Sequence, residues 1–156
     1  MSFVVLLIFL LDQATKYMVA TTFRIGESKP VVPGAFHLTY VRNTGGAFGL
    51  LKGWVPLLII ISVVAIVVIV RIAIMQQTIS PRQKLGQYAV ATIMGGALGN
   101  LADRLHLGYV VDFLDFRIWP VFNVADVAIT VGVGLLILEL LLPPPPKDEF
   151  IPHSQS

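Results

Sequence analysis

Cysteine is absent from the chain, which excludes disulfides, thiolate nucleophiles and thiolate metal sites. Charge is scarce as well. Asp, Glu, Lys and Arg make up 13% of the 156 residues, about half the roughly 25% usual in soluble domains. With 56% apolar residues and a mean hydropathy of +0.82, too few polar groups remain to cover a globule in water. The net charge of +2 is small and the charges are scattered, which argues against nucleic acid as a partner. His37, His106 and His153 lie far apart and outside any H-E-x-x-H element, so a zinc hydrolase is not expected. Neither a P-loop nor a G-x-G-x-x-G turn occurs.

What the chain does have is long apolar stretches. Four of them, about 3–20, 54–75, 85–105 and 121–142, are long enough as helices to span the roughly 30 Å of bilayer hydrocarbon. The expectation is a small all-α membrane protein with four transmembrane helices forming one domain, 1–142. Pro143, Pro144, Pro145 and Pro146 end the last helix, because proline lacks the N–H and fixes φ. Residues 143–156 then read as a proline-rich, disordered tail. The first stretch lacks a basic start, and Asp12 and Lys16 interrupt it, so it reads as a retained helix rather than a cleaved leader. In the long loop 21–53, the β-formers Ala35 to Val41 follow Gly34, which predicts a short strand or hairpin. Trp54 and Trp119 stand where interfacial aromatics belong. Arg71, Arg82 and Lys84 favour a cytoplasmic second loop, but Arg24, Lys29, Arg42 and Lys52 oppose them from the first, so charge alone leaves orientation open. The pentapeptides Gly45-Gly46-Ala47-Phe48-Gly49 and Gly95-Gly96-Ala97-Leu98-Gly99 echo each other, which small-residue packing explains as well as a repeat does.

Of six aspartates, Asp12, Asp103, Asp112, Asp115 and Asp126 lie within or beside apolar segments. An ionised Asp at mid-membrane costs about 2.5–3.5 kcal/mol even on insertion scales, so each needs a reason. Asp12 and Lys16 are spaced i, i+4 in the orientation that favours an ion pair. In the third stretch Ala91, Gly95, Gly99 and Asp103 form a small-residue stripe suited to close helix contact, and Gly96, Asn100 and Arg104 form the row beside it. Asn123 suits an N-cap. A capping role does not fit Asp126, three residues further on, so Asp126 needs a partner from elsewhere. Asp115 has Arg117 nearby and reads as an ordinary surface pair, whereas Asp112 has no such neighbour.

Elimination leaves carboxylate chemistry, since Ser62 is the only serine within a span and has no G-x-S-x-G around it. Two nearby aspartates share a proton, so that one acts as base on water while the other donates to a carbonyl. Two classes remain: an intramembrane aspartic hydrolase, and a small proton-coupled transporter or channel subunit using the same aspartates as a relay.

Five blocks carry a resemblance to a known family: Asp12-Gln13-Ala14-Thr15-Lys16, Asn43-Thr44-Gly45-Gly46-Ala47-Phe48, Gly95 through Arg104, Val110-Val111-Asp112-Phe113 and Phe122-Asn123-Val124-Ala125-Asp126. In this order they resemble bacterial lipoprotein signal peptidase (signal peptidase II). The resemblance implies a four-helix aspartic endopeptidase of the bacterial inner membrane, with both termini cytoplasmic and the site near the outer leaflet. It implies cleavage of diacylglyceryl-modified prolipoproteins just before the lipidated cysteine, inhibition by globomycin, action as a monomer among membrane lipids, and no metal or organic cofactor. By position, Asp112 and Asp126 match the catalytic pair. Asn43, Asn100, Arg104 and Asn123 match substrate-binding residues, Asp12, Lys16 and Asp103 match structural supports, and the first loop matches an extracytoplasmic β-element that cradles substrate. The catalytic positions are 14 residues apart, across a compact third loop.

Overall fold

Long apolar sequence with few breakers gives four helices among the described residues: α1 (Ser2–Thr22), α2 (Val55–Gln76), α3 (Lys84–Leu107) and α4 (Val124–Leu141). They fall within a few residues of the four expected stretches. The computed structural model describes residues 2–46, 50–76 and 84–142. The proline run with its tail, most of the second loop, and Ala47, Phe48 and Gly49 of the glycine echo lie outside the described residues. Leu6, Leu10, Ile60, Val64, Ile137 and Leu140 project outward and stay exposed, a surface suited to hydrocarbon rather than water. Among the described residues two helices, α1 and α4, are long and apolar enough to cross a membrane, and Val55–Arg71 of α2 is a shorter apolar stretch.

Helix α3 is central, in contact with α1, α2 and α4, and its glycines explain how. A Cβ on Gly95 would strike Ile8, and one on Gly99 would strike the Asp12 carboxylate. One row of α3 therefore lies hard against α1. On the neighbouring row a Cβ on Gly96 would meet the Ala125 carbonyl oxygen, and Gly132 of α4 lets that helix settle on Ala89 and Ile93. Small residues replace bulk with proximity, the usual way helices associate where burial from water is not available.

Strands β1 (Ser28–Val32) and β2 (Phe36–Asn43) form the expected hairpin, turning through Gly34 at φ +76, a left-handed value that suits glycine. The β-structure is larger than expected. A third strand, β3 (Val110–Asp115), comes from the third loop and completes an antiparallel sheet in the order β1-β2-β3. Nearly all of β3 is buried, so its two faces do not alternate between polar and apolar, and the period-2 signal of a strand is missing. Val19, Tyr40, Val111 and Phe113 pack into one cluster joining the end of α1 to the sheet. Phe122 pairs back onto Leu114, which brings the start of α4 beside β3.

Candidate active site

The first turn of α4 is a capping box. Asn123 Oδ1 accepts the Asp126 N–H at 2.9 Å, and Asp126 Oδ2 accepts the Asn123 N–H at 3.2 Å. The expectation that capping does not fit Asp126 is thereby corrected: as the third residue of the helix it satisfies one of the orphan donors of the N-terminus. With its oxygen committed to the helix, Asn123 must turn its NH2 outward. That group donates to Asp112 Oδ1 at 2.7 Å and to Asn100 Oδ1 at 3.1 Å. Asn43 follows the same logic at the end of β2. Its Oδ1 accepts the Gly45 N–H at 2.9 Å, and its NH2 donates to Asp112 Oδ2 at 2.9 Å. Each oxygen of Asp112 is thus held by an amide whose orientation a backbone N–H dictates.

Asp126 takes its second donor from α3, as Asn100 Nδ2 reaches Asp126 Oδ1 at 2.8 Å. Behind Asn100 lies a buried ionic cluster. Lys16 Nζ meets Asp12 Oδ2 at 2.8 Å, Asp103 Oδ2 at 3.1 Å and Asn100 Oδ1 at 2.9 Å. The two carboxylates also tie backbone elements together. Asp12 Oδ1 accepts the Ala125 N–H of α4 at 2.9 Å, and Asp103 Oδ2 accepts the Val111 N–H of β3 at 3.0 Å. Gln13, not singled out from sequence, completes the cluster by donating to Asp12, Asp103 and the Gly99 carbonyl. Its neighbours Asp12 and Lys16 were the only local signal of its role. Removing one ion from such a cluster leaves a buried charge unpaired, which costs about 3–5 kcal/mol.

Both Asp112 and Asp126 line one cavity of about 360 Å³, together with Asn43, Asn100, Arg104 and the segment Trp119 to Phe122. Burial pushes the Asp112 carboxyl up to about 7, the charge on Asp126 adds to the effect, and the Asn43 and Asn123 bonds oppose it. Asp112 is 2% exposed, whereas Asp126 is half-buried. Two carboxyls in one cavity with unequal surroundings can divide acid and base work between them. Arg104 is anchored by Ser62 Oγ at 3.4 Å, and its buried Nε has no partner among the described residues. An apolar groove of about 500 Å³ runs alongside, formed by Phe116, Ile118, Trp119, Phe122, Val127 and Val131, and it shares Asp126 with the cavity.

All the candidate catalytic, substrate-binding and supporting residues therefore meet in one region, though not all on the cavity wall. Asn123, expected to contact substrate, is fully buried and is committed to Asp112, Asn100 and the α4 cap. Asp12, Lys16 and Asp103 stand behind Asn100. Asp115 is separate: it accepts the Thr39 hydroxyl at 2.7 Å and pairs with Arg117 at 3.2 Å, which fastens β2 to β3. Asn123→Ala is expected to lower stability by about 1–2 kcal/mol through loss of the cap and to cut activity by roughly a hundredfold, because Asp112 loses a fixed donor. Thermal melting and turnover of the same purified variant check both numbers.

A family model described as signal peptidase (SPase) II matches residues 4–142. A lipoprotein signal peptidase of Moorella thermoacetica is 49% identical over 138 residues, covering 88% of this chain and 90% of that protein. One of Pelotomaculum thermopropionicum is also 49% identical over 138 residues, covering 88% of this chain and 89% of the relative. Among solved structures, a bacterial membrane enzyme superposes with a TM-score of 0.80 at 36% identity, over 89% of this chain and 85% of that one.

Proposed function

The chain belongs to the signal peptidase II family, and from this we propose that Asp112 and Asp126 are the catalytic pair of a membrane-embedded aspartic endopeptidase. As a member of that family it removes signal peptides from prolipoproteins. The observation that carries the site assignment is the cavity itself, where both carboxyls converge and each is held by amides of fixed orientation. An ionised carboxylate takes a proton from water, and the resulting hydroxide adds to the scissile carbonyl carbon. The protonated partner donates to the carbonyl oxygen; on collapse the C–N bond breaks as the first carboxyl passes its proton to the departing amine and the second takes back a hydroxyl proton. Arg104 Nε, buried and open to a partner, holds a carbonyl of the substrate backbone in line. Asn43 and Asn100 share that wall, while Asn123 orients the pair from behind. The substrate is the diacylglyceryl-modified form, cut before its lipidated cysteine. Its acyl chains lie along the apolar groove beside Asp126, and globomycin occupies the same cavity.

Residues 1–142 form one domain with four spans. At about 1.5 Å per residue, α2 and α3 are about 33 and 36 Å long, enough to cross with α1 and α4. The end of α1, the end of α3, the start of α4 and the sheet all lie at one end of the bundle. That end is extracytoplasmic, at the outer leaflet of the bacterial inner membrane, and both termini with the tail 143–156 are cytoplasmic. The protein works as a monomer surrounded by lipid.

Mass spectrometry of products from a purified, lipidated prolipoprotein tests this reading. One product beginning at the modified cysteine is expected, and a cut at any other bond would contradict the reading. The pH profile gives a second check. The Asp112 carboxyl, raised to about 7, must keep its proton to act as acid, so kcat/KM is expected to fall as pH rises above about 7, approaching tenfold per unit. A profile flat to pH 9 would remove Asp112 from that role.

A further inference from the structure

Lys16 is 3% exposed and absent from the wall of the dyad cavity. Two of its three ammonium protons meet carboxylates, Asp12 and Asp103. A structural ion pair needs no more than that, yet the third proton goes to a neutral amide, Asn100 Oδ1, at 2.9 Å. The consequence falls on the dyad. With its oxygen held by Lys16 and by Asn123 at 3.1 Å, Asn100 cannot turn over, and its NH2 is directed at Asp126 Oδ1 at 2.8 Å. An amide whose oxygen is bound by a cation becomes a stronger donor at its nitrogen. Asp126 also occupies the first turn of α4, where the helix N-terminus favours negative charge. Asp112 has neither advantage, since it sits on a strand and its amide donors have their oxygens on backbone N–H groups.

Building on the dyad reading above, we infer that Lys16 is a positioning residue that acts through Asn100 to make Asp126 the ionised carboxylate and leave the proton on Asp112. Asp126 then takes the proton from water while hydroxide adds to the carbonyl carbon, and Asp112 protonates the carbonyl oxygen. On collapse the C–N bond breaks, the proton on Asp126 passes to the departing amine, and a hydroxyl proton of the intermediate returns to Asp112. The pair is restored to its starting form with no other reactant. The charged and titratable groups around Lys16 are Asp12 and Tyr17 on α1, Asp103 and His106 on α3, Tyr109 before β3, and Asp112 on β3, which also feels the Lys16 charge. Those facing the dyad cavity are Asp112, Asp126 and Arg104.

Lys16→Met, Lys16→Arg and the wild type are compared on a lipidated prolipoprotein across pH 5 to 9. For Lys16→Met, kcat is expected to fall at least about 30-fold with KM changed less than about threefold. Both limbs of the kcat/KM profile move to higher pH by about one unit, because neither carboxylate retains the nearby positive charge. Lys16→Arg keeps that charge and returns the profile to its wild-type position, even at reduced rate. A folded Lys16→Met with an unmoved profile overturns the inference. If Lys16→Met does not fold, infrared spectra at pH 5.5 decide. The protonated-carboxyl stretch is expected to vanish in Asp112→Asn and persist in Asp126→Asn, and any other pattern overturns the assignment. Failure of the dyad reading itself looks different, since either Asp variant would then still cleave.

Discussion

Asp126→Asn is expected to lower kcat/KM by about 10³-fold or more while the protein inserts, purifies and melts within about 1–2 kcal/mol of the wild type. The side chain keeps its size, and an amide oxygen can still accept from the Asn123 N–H. What it cannot do is take a proton from water. Asp112→Asn is expected to be as inactive, with a further signature in stability. Asp112 holds its proton up to about 7 in the folded chain, against an ordinary value of 3.8. A carboxyl whose folded value is raised contributes stability that is complete below about pH 4 and lost as pH rises through about 7. An asparagine does not titrate. The unfolding free energy of Asp112→Asn relative to wild type is therefore expected to climb between pH 5 and pH 8, by an amount on the order of 1–4 kcal/mol. A difference that stays constant or falls with pH would show that the burial of this carboxyl is not destabilising when ionised. Retained cleavage by either variant would remove the dyad.

The second large effect lies away from the chemistry. Gly96→Ala is expected to reduce activity by about 10²-fold and stability by about 1–3 kcal/mol. The added Cβ would run into the Ala125 carbonyl oxygen and lie against Ile129. Backbone on one side and a packed side chain on the other leave α4 little choice but to move. Since Ala125 precedes Asp126 directly, that movement displaces the carboxylate from Asn100. Gly134→Ala is the control, because a Cβ there meets nothing within 4 Å. In an unobstructed helix interior alanine is favoured over glycine by about 0.5–1 kcal/mol, so this variant is expected to keep full activity. Melting and turnover measured on both variants separate the cases. Equal behaviour of the two would mean that the α3–α4 contact does not position the site.

Much of this site could be read from the sequence because membrane helices make polar residues conspicuous. Asp12, Lys16, Asn100, Asp103 and Arg104 interrupt apolar stretches and so announced themselves, and their i, i+4 spacings placed them on shared faces. Helix positions were equally visible as long apolar runs, because a helix satisfies its own backbone hydrogen bonds and apolar side chains suit hydrocarbon. The third strand was not visible. Val110–Asp115 is buried on both faces, so it carries no alternation, and its pairing with β2 joins segments that are far apart in sequence. The capping role of Asp126 was missed for a different reason: it depends on the side chain turning back on Asn123, while the sequence shows only that Asp126 lies inside the helix. Gln13 was overlooked because a single amide beside an ion pair looks like an ordinary polar residue. Two of its three bonds, to Asp103 and the Gly99 carbonyl, appear only when α1 and α3 are brought together.

The most direct test of the account follows one purified prolipoprotein in diacylglyceryl-modified and unmodified forms, incubated with the wild-type protein and with Asp126→Asn. Cleavage of the modified form by the wild type alone is expected. Equal cleavage of both forms, or cleavage by Asp126→Asn, would contradict it.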